Sequence, residues 1–197
     1  MKINLTTRDL INIAIFAVIY FVLFYACGML GFVGPAFMFV GWIIGIILNG
    51  IVVMLMLARV PKIGAMTLTG LLMGIGMIPG HTIWVLPAGI ILGFIADLIA
   101  TNMGRNTRLE PKRGIIAYAV YQLIMMVPWF PIVFNSDEYY AKLTKVMGAD
   151  YVSGMKSLFT PTTMAIWAVC VVLLGLAGGW LGVKVGRKHF QRAGLTK

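Results

Sequence analysis

Six long apolar runs, separated by short polar gaps, constrain this chain more than any other feature. They span about 10–30, 35–58, 63–78, 82–103, 114–134 and 162–185. Crossing the hydrocarbon core of a bilayer takes roughly 20 helical residues. Five runs reach that length and the third falls short. Backbone polar groups find no water in hydrocarbon, so such runs must satisfy their hydrogen bonds internally, as helices. The expected fold is all-α and integral to the membrane: a compact bundle of six transmembrane helices, forming a single domain over residues 1–197. Composition agrees, with 60% of residues hydrophobic and 11% charged, about half the charge of a soluble domain. The first run is too long for a signal-peptide core and no small-residue cleavage site follows it, so it reads as a span.

The charges set an orientation. With six spans, one side of the membrane holds Lys2, Arg8, Arg59, Lys62, Arg105, Arg108, Lys112, Arg113, Lys184, Arg187, Lys188, Arg192 and Lys197, and the other only Lys142, Lys145 and Lys156. Basic residues accumulate on the cytoplasmic side, so both termini are expected in the cytoplasm. The net charge of +10 is therefore topological, and no solvated basic face for nucleic acid is implied.

Three connections fall outside. Gly31 to Pro35 is short and apolar, and Pro79 to Thr82 is a tight turn carrying His81. The segment 135–161 is long, and it shows helical faces at Tyr139, Leu143, Val146 and Met147 and again at Tyr151, Val152, Met155, Leu158 and Phe159. Asn135 and Glu138 have capping-box spacing. One or two amphipathic helices are expected there as a lid over the outer mouth. Glycine pairs four residues apart (Gly70 and Gly74, Gly89 and Gly93, Gly175 and Gly179, Gly178 and Gly182) predict close helix crossings.

Chemistry-bearing residues are few. The chain has no HExxH, GxSxG, P-loop or Rossmann fingerprint, so no catalytic residue, intrinsic metal site or intrinsic cofactor is assigned and no ATP hydrolysis by this chain is expected. Cys27 and Cys170 lie in apolar runs at no metal-binding spacing. Asp97 has two readings, a functional intramembrane carboxylate or a partner of a nearby basic residue such as Arg105. Asn49 and Gln122 suit interhelical hydrogen bonds, and Gln122 alternatively faces a ligand. Four of the five tryptophans, Trp42, Trp84, Trp129 and Trp167, map to the outer half and Trp180 to the inner. That asymmetry exceeds an interfacial belt and suggests an outward-facing aromatic pocket, with Met29, Met38 and Met77 as adaptable surface. The candidate substrate-binding set is His81, Trp84, Gln122, Trp129, Phe130 and Trp167.

The stretches TTRDLINIAIFAVIYFV, GHTIW, GFIADLIA, YAVYQL and RKHFQRAGL, in this order and spacing, resemble the substrate-binding S components of energy-coupling-factor (ECF) transporters, a branch of the ABC transporters, and more closely the Trep_Strep, or MptD-type, family. The resemblance covers nearly the whole chain. It implies a membrane-embedded T subunit and two ATPases as partners, and docking to the T subunit through small residues of the first helix. An AxxxA pattern is usual there, whereas Ala14 and Ala17 are three apart here and position 18 is Val. It also implies that the protein topples in the membrane to deliver its substrate.

The function expected from this is capture of a vitamin- or cofactor-class micronutrient from outside, by a non-catalytic subunit. Haem or a related tetrapyrrole is the leading substrate, with His81 as an iron ligand. The alternatives are an intramembrane enzyme using His81 or Cys27 and a stand-alone small-molecule transporter.

Overall fold

Thr6 opens the first helix, α1 (Thr7–Gly28), through a complete capping box: Asp9 N–H donates to the Thr6 hydroxyl, and Thr6 N–H donates to the Asp9 carboxylate. The computed structural model describes residues 4–105 and 108–192, with side-chain surroundings through Arg187. Lys2 and Lys197, and the side chains of Lys188 and Arg192, lie outside the described residues. A 3-10 turn, Met29–Phe32, leads from α1 to α2 (Pro35–Arg59), which begins on a proline. Proline suits the first turn because its missing N–H has no intrahelical partner there. Next come α3 (Ala65–Met77), a 3-10 turn at Ile78–Gly80, α4 (Val85–Ala100) and α5 (Pro111–Tyr121). From Gln122 to Trp129 the chain tightens into 3-10 helix around Pro128, whose ring excludes a regular α-helical path through that point. The short α6 (Phe130–Phe134), then α7 (Ser136–Met147), α8 (Ala149–Leu158) and the long α9 (Pro161–Arg192) complete the chain.

The protein is all-helical. Four segments are long and apolar enough to cross a membrane: Thr7–Phe32, Pro35–Arg59, Pro111–Phe134 and Pro161–Arg187. The expectation of six full spans is not met by length, because α3 has 13 residues and α4 has 16. At 1.5 Å per residue these reach about 20 and 24 Å, short of the roughly 30 Å core.

Neighbouring helices close a ring. α1 packs on α2, α2 on α9, α9 on α5, α5 on α4, α4 on α3, and α3 returns to α1. Glycines set these crossings. A Cβ on Gly70 would strike the Gly89 carbonyl, and one on Gly89 would strike Gly70. Gly178 lies against the backbone of Ile46 and Ile47, and Gly175 against Ala119. Without these close approaches the chain would lose the dispersion contacts that hold helices together in lipid.

Lys62, in the gap between α2 and α3, bonds Asp9 at 2.6 Å. That pair brings the start of α1 and the end of α2 to one end of the bundle. Asp97 lies at the same end, and there the structure corrects the expected pairing. Asp97 is fully buried and, among the described residues, pairs with no basic one. Its carboxylate accepts from Gly64 N, Met66 N, Thr67 N and Thr67 Oγ1, at 2.6–2.9 Å. It serves as the N-cap of α3, donated from α4 because Gly64 has no side chain to cap with. Gly64 itself sits at φ 106, a conformation that favours glycine.

Asn49 is also corrected. It is buried on α2 with neither amide atom hydrogen-bonded, so it does not form the interhelical bond expected of it.

Candidate functional site

At the opposite end lies a cavity of about 530 Å³, within the range of small-molecule sites. Its floor comes from the ends of the bundle helices away from Asp9 and Lys62. Met38 and Trp42 project from α2, and Trp129 from the 3-10 segment. Trp42, Trp129, Trp167, Phe39 and Phe159 form one aromatic cluster. The Trp129 and Trp167 rings lie nearly parallel, 6.5 Å apart and 11° off plane, and Phe39 stands edge-on to Trp167 at 5.0 Å. Offset and edge-on contacts of this kind are the favoured arrangements of aromatic rings. The Pro128 interruption matters here, because the tightened turn carries Trp129 and Phe130 into the cavity wall together.

The roof is α7 and α8. Tyr140, Val152 and Met155 are buried beneath them, with Phe159 just beyond α8. Of the face expected on α7, Tyr139 and Leu143 pack against the core, joined by Tyr140, while Val146 is 79% exposed. The expected capping box at Asn135 is also corrected. Asn135 Nδ2 donates to the Glu138 carboxylate, and neither side chain caps the backbone. The Tyr151 hydroxyl donates to the Gly31 carbonyl at 2.8 Å and ties α8 to the turn after α1.

Polar groups gather at the mouth. Glu138 and Lys142 form an ion pair at 2.5 Å, and both line the cavity beside His81, Asn135 and Tyr139. The Lys142 ammonium and the Asn135 amide hold the Glu138 carboxyl below the usual carboxylate range. His81 is exposed at the mouth, and partial desolvation of its ring still lowers the imidazole below its ordinary value. Nδ1 lies 3.3 Å from the Met77 carbonyl, which only accepts. The proton therefore sits on Nδ1 and the lone pair on Nε2, the tautomer suited to ligating a metal or accepting a hydrogen bond.

A family model described as hypothetical bacterial integral membrane protein (Trep_Strep) matches residues 7–192. The chain belongs to the Trep_Strep family. No curated protein and no solved structure matches it. The protein is thus an integral membrane protein of bacteria.

Of the candidate substrate-binding set, His81, Trp84, Trp129 and Phe130 meet at this cavity. Trp84 stands 60% exposed at its rim. Trp167 does not line the cavity but backs it. Gln122 is fully buried and lies away from it, donating Nε2–H to the Tyr20 hydroxyl at 3.3 Å. Ala14 and Ala17 do not share a face. Ala17 is buried with Ile13, Tyr20 and Phe24, while Ala14 is exposed among Ile11, Ile15 and Val18. Three residues advance a helix by about 300°, enough to put the two side chains on opposite sides of the boundary between core and surface.

Glu138 and Lys142 line the cavity without having been assigned to it, and Trp42, Met155 and Phe159, expected only as an outer tryptophan and as lid residues, line it directly. Trp42 and Phe159 are more than a hundred positions apart, and no local pattern joins them. Cys27 and Cys170 are free thiols. Among the described residues, no group of three or more His, Cys, Asp or Glu side chains is placed to hold a metal ion.

Proposed function

We propose that this protein is the substrate-binding S component of an ECF-type ABC importer. In this reading the bundle crosses the membrane six times, with α3 and α4 as short passes and both termini in the cytoplasm. The observation that carries it is the aromatic-floored cavity at the end away from the basic gaps, roofed by α7 and α8. The substrate enters from outside, is enclosed by that roof, and is released inward when the T subunit and two ATPases act. The chain itself performs no chemistry.

The substrate class follows from the walls. Trp42, Trp129, Phe130 and Phe159 offer flat apolar surface, while His81 and Lys142 supply polar contacts at one edge. A flat, largely apolar micronutrient with a polar or anionic margin suits this arrangement, and haem or a related tetrapyrrole is the leading substrate. Neutral imidazole is a common axial ligand of haem iron, and the Nδ1-protonated tautomer leaves Nε2 available.

Two measurements test this. Affinity-tagged protein should co-purify with a T subunit and ATPases from its native membrane. Purified alone it should hydrolyse no ATP, and measurable turnover would overturn the assignment. Haem titration should give a saturable absorbance shift that changes in His81→Ala. No saturable shift in the wild type rules out haem, and an identical shift in the variant removes His81 as the ligand.

A further inference from the structure

A second groove lies at the other end of the bundle, between α5 and α9, with a volume of about 500 Å³. It is lined by Lys112 and Ile115 of α5 and by Trp180, Val183, Lys184 and Arg187 of α9. The two helices meet closely just above it, where Gly179 lies against Ile115. One wall is the Trp180 ring, 57% exposed, with the Lys184 ammonium 5.0 Å from its centroid. Three cations therefore converge on a slot whose depth is apolar.

Among the described residues, none of them has an acidic partner. The chain has six acidic residues. Asp9 is bound by Lys62, Asp97 is buried as a helix cap, and Glu110 is held by Arg113 Nε at 2.7 Å. Asp137, Glu138 and Asp150 belong to the roof helices at the opposite end. Among the described residues, no acidic side chain therefore compensates the positive charge of the groove.

We propose that this groove is a binding site for an anionic membrane phospholipid. The phosphate lies among Lys112, Lys184 and Arg187, and an acyl chain follows Ile115 and Val183 past Trp180. Clustered Lys and Arg at the inner membrane surface attract anionic headgroups, at about 1 kcal/mol per residue. A tryptophan at the same level provides the amphipathic wall that an interfacial lipid meets. The site depends only on the protein being integral to the membrane, so it stands or falls separately from the importer reading.

The test is native mass spectrometry of the detergent-purified full chain, titrated with phosphatidylglycerol or phosphatidylcholine. One saturable phosphatidylglycerol adduct is expected, at least about tenfold favoured over phosphatidylcholine. Combining Lys112→Gln, Lys184→Gln and Arg187→Gln should remove the preference, whereas Lys145→Gln, at the other end, should leave it intact. Single Lys184→Gln, whose fold is checked by thermal melting, should weaken it partially. Phosphatidylglycerol with brominated acyl chains should quench wild-type fluorescence more than that of Trp180→Phe. Equal retention of both lipids, or an unchanged preference in the folded Lys184→Gln and triple variants, overturns the proposal. Displacement of the lipid by millimolar inorganic phosphate overturns it in favour of a soluble anion.

Discussion

Thr67 donates twice to Asp97, through its backbone N–H at 2.9 Å and its hydroxyl at 2.6 Å, both to the same carboxylate oxygen. The pair locks the start of α3 to the last turns of α4. With Gly64 N and Met66 N also bound, three of the free donors at the head of α3 are satisfied by a side chain from another helix. Buried donors left without partners cost about 1–3 kcal/mol each. Asp97→Leu should therefore destabilise the protein by about 3 kcal/mol or more, and Asp97→Asn by less, because the amide keeps one acceptor. Thr67→Val should cost about 1 kcal/mol. Unfolding in mixed micelles, followed by circular dichroism, measures the order. Equal stability of wild type and Asp97→Leu would contradict the capping role.

Ala14 and Ala17 make opposite predictions. Ala17 is 2% exposed, and a leucine there must displace packed neighbours, a cost of about 1–3 kcal/mol. Ala14→Leu adds bulk on an exposed face and should leave the melting temperature unchanged. If the T subunit docks on that face, Ala14→Leu alone should reduce co-purification. Equal melting temperatures for both variants would show that Ala17 is not in the core.

Gly70 and Gly89 face one another across the crossing of α3 and α4. Gly70→Val has no room to place its side chain without moving Gly89, and overpacking of this kind costs about 1–3 kcal/mol. Gly28, around which a Cβ would find open space, is the control: Gly28→Ala should melt as the wild type does. Melting of the solubilised variants separates the two.

His81 gives a pH dependence. The side chain is exposed, but partial desolvation of its ring lowers its pKa in the folded protein from the ordinary value of 6.5, and the Met77 carbonyl offsets this only in part. Between the two values the unfolded chain binds more protons, so stability rises with pH there. The contribution is fully present above about pH 6.5 and is lost as pH falls through the lower folded value. In His81→Gln that acid-side loss should be absent from melting curves recorded between pH 7 and 5. An unchanged slope would place the titrating group elsewhere.

Tyr151 anchors the roof through Gly31. Tyr151→Phe should raise amide exchange across α7 and α8 without altering exchange in α2, while a bound substrate should slow it in the wild type. Unaltered exchange in both cases would remove the roof segment from any gating role.

The helical, membrane-embedded character of this protein was legible in the sequence because hydrocarbon leaves the backbone no other way to satisfy its hydrogen bonds. Long uninterrupted stretches such as Pro35–Arg59 state that requirement directly. The glycine spacings were legible for a similar reason, since a residue without a side chain on a helix face points to a neighbouring backbone. Tertiary structure decided what one-dimensional spacing cannot carry. Whether Asp97 would meet Arg105 or the head of α3 depended on how α3 folds back on α4, and burial favoured backbone donors that are already fixed in place. Whether Ala17 faced the core or lipid depended on the rotation of α1 against α2 and α3. The aromatic floor joins Trp42, Trp129 and Phe159 only because α2, the Pro128 turn and the end of α8 converge at one end of the ring. That convergence is a property of packing between distant segments, and no local run of residues encodes it.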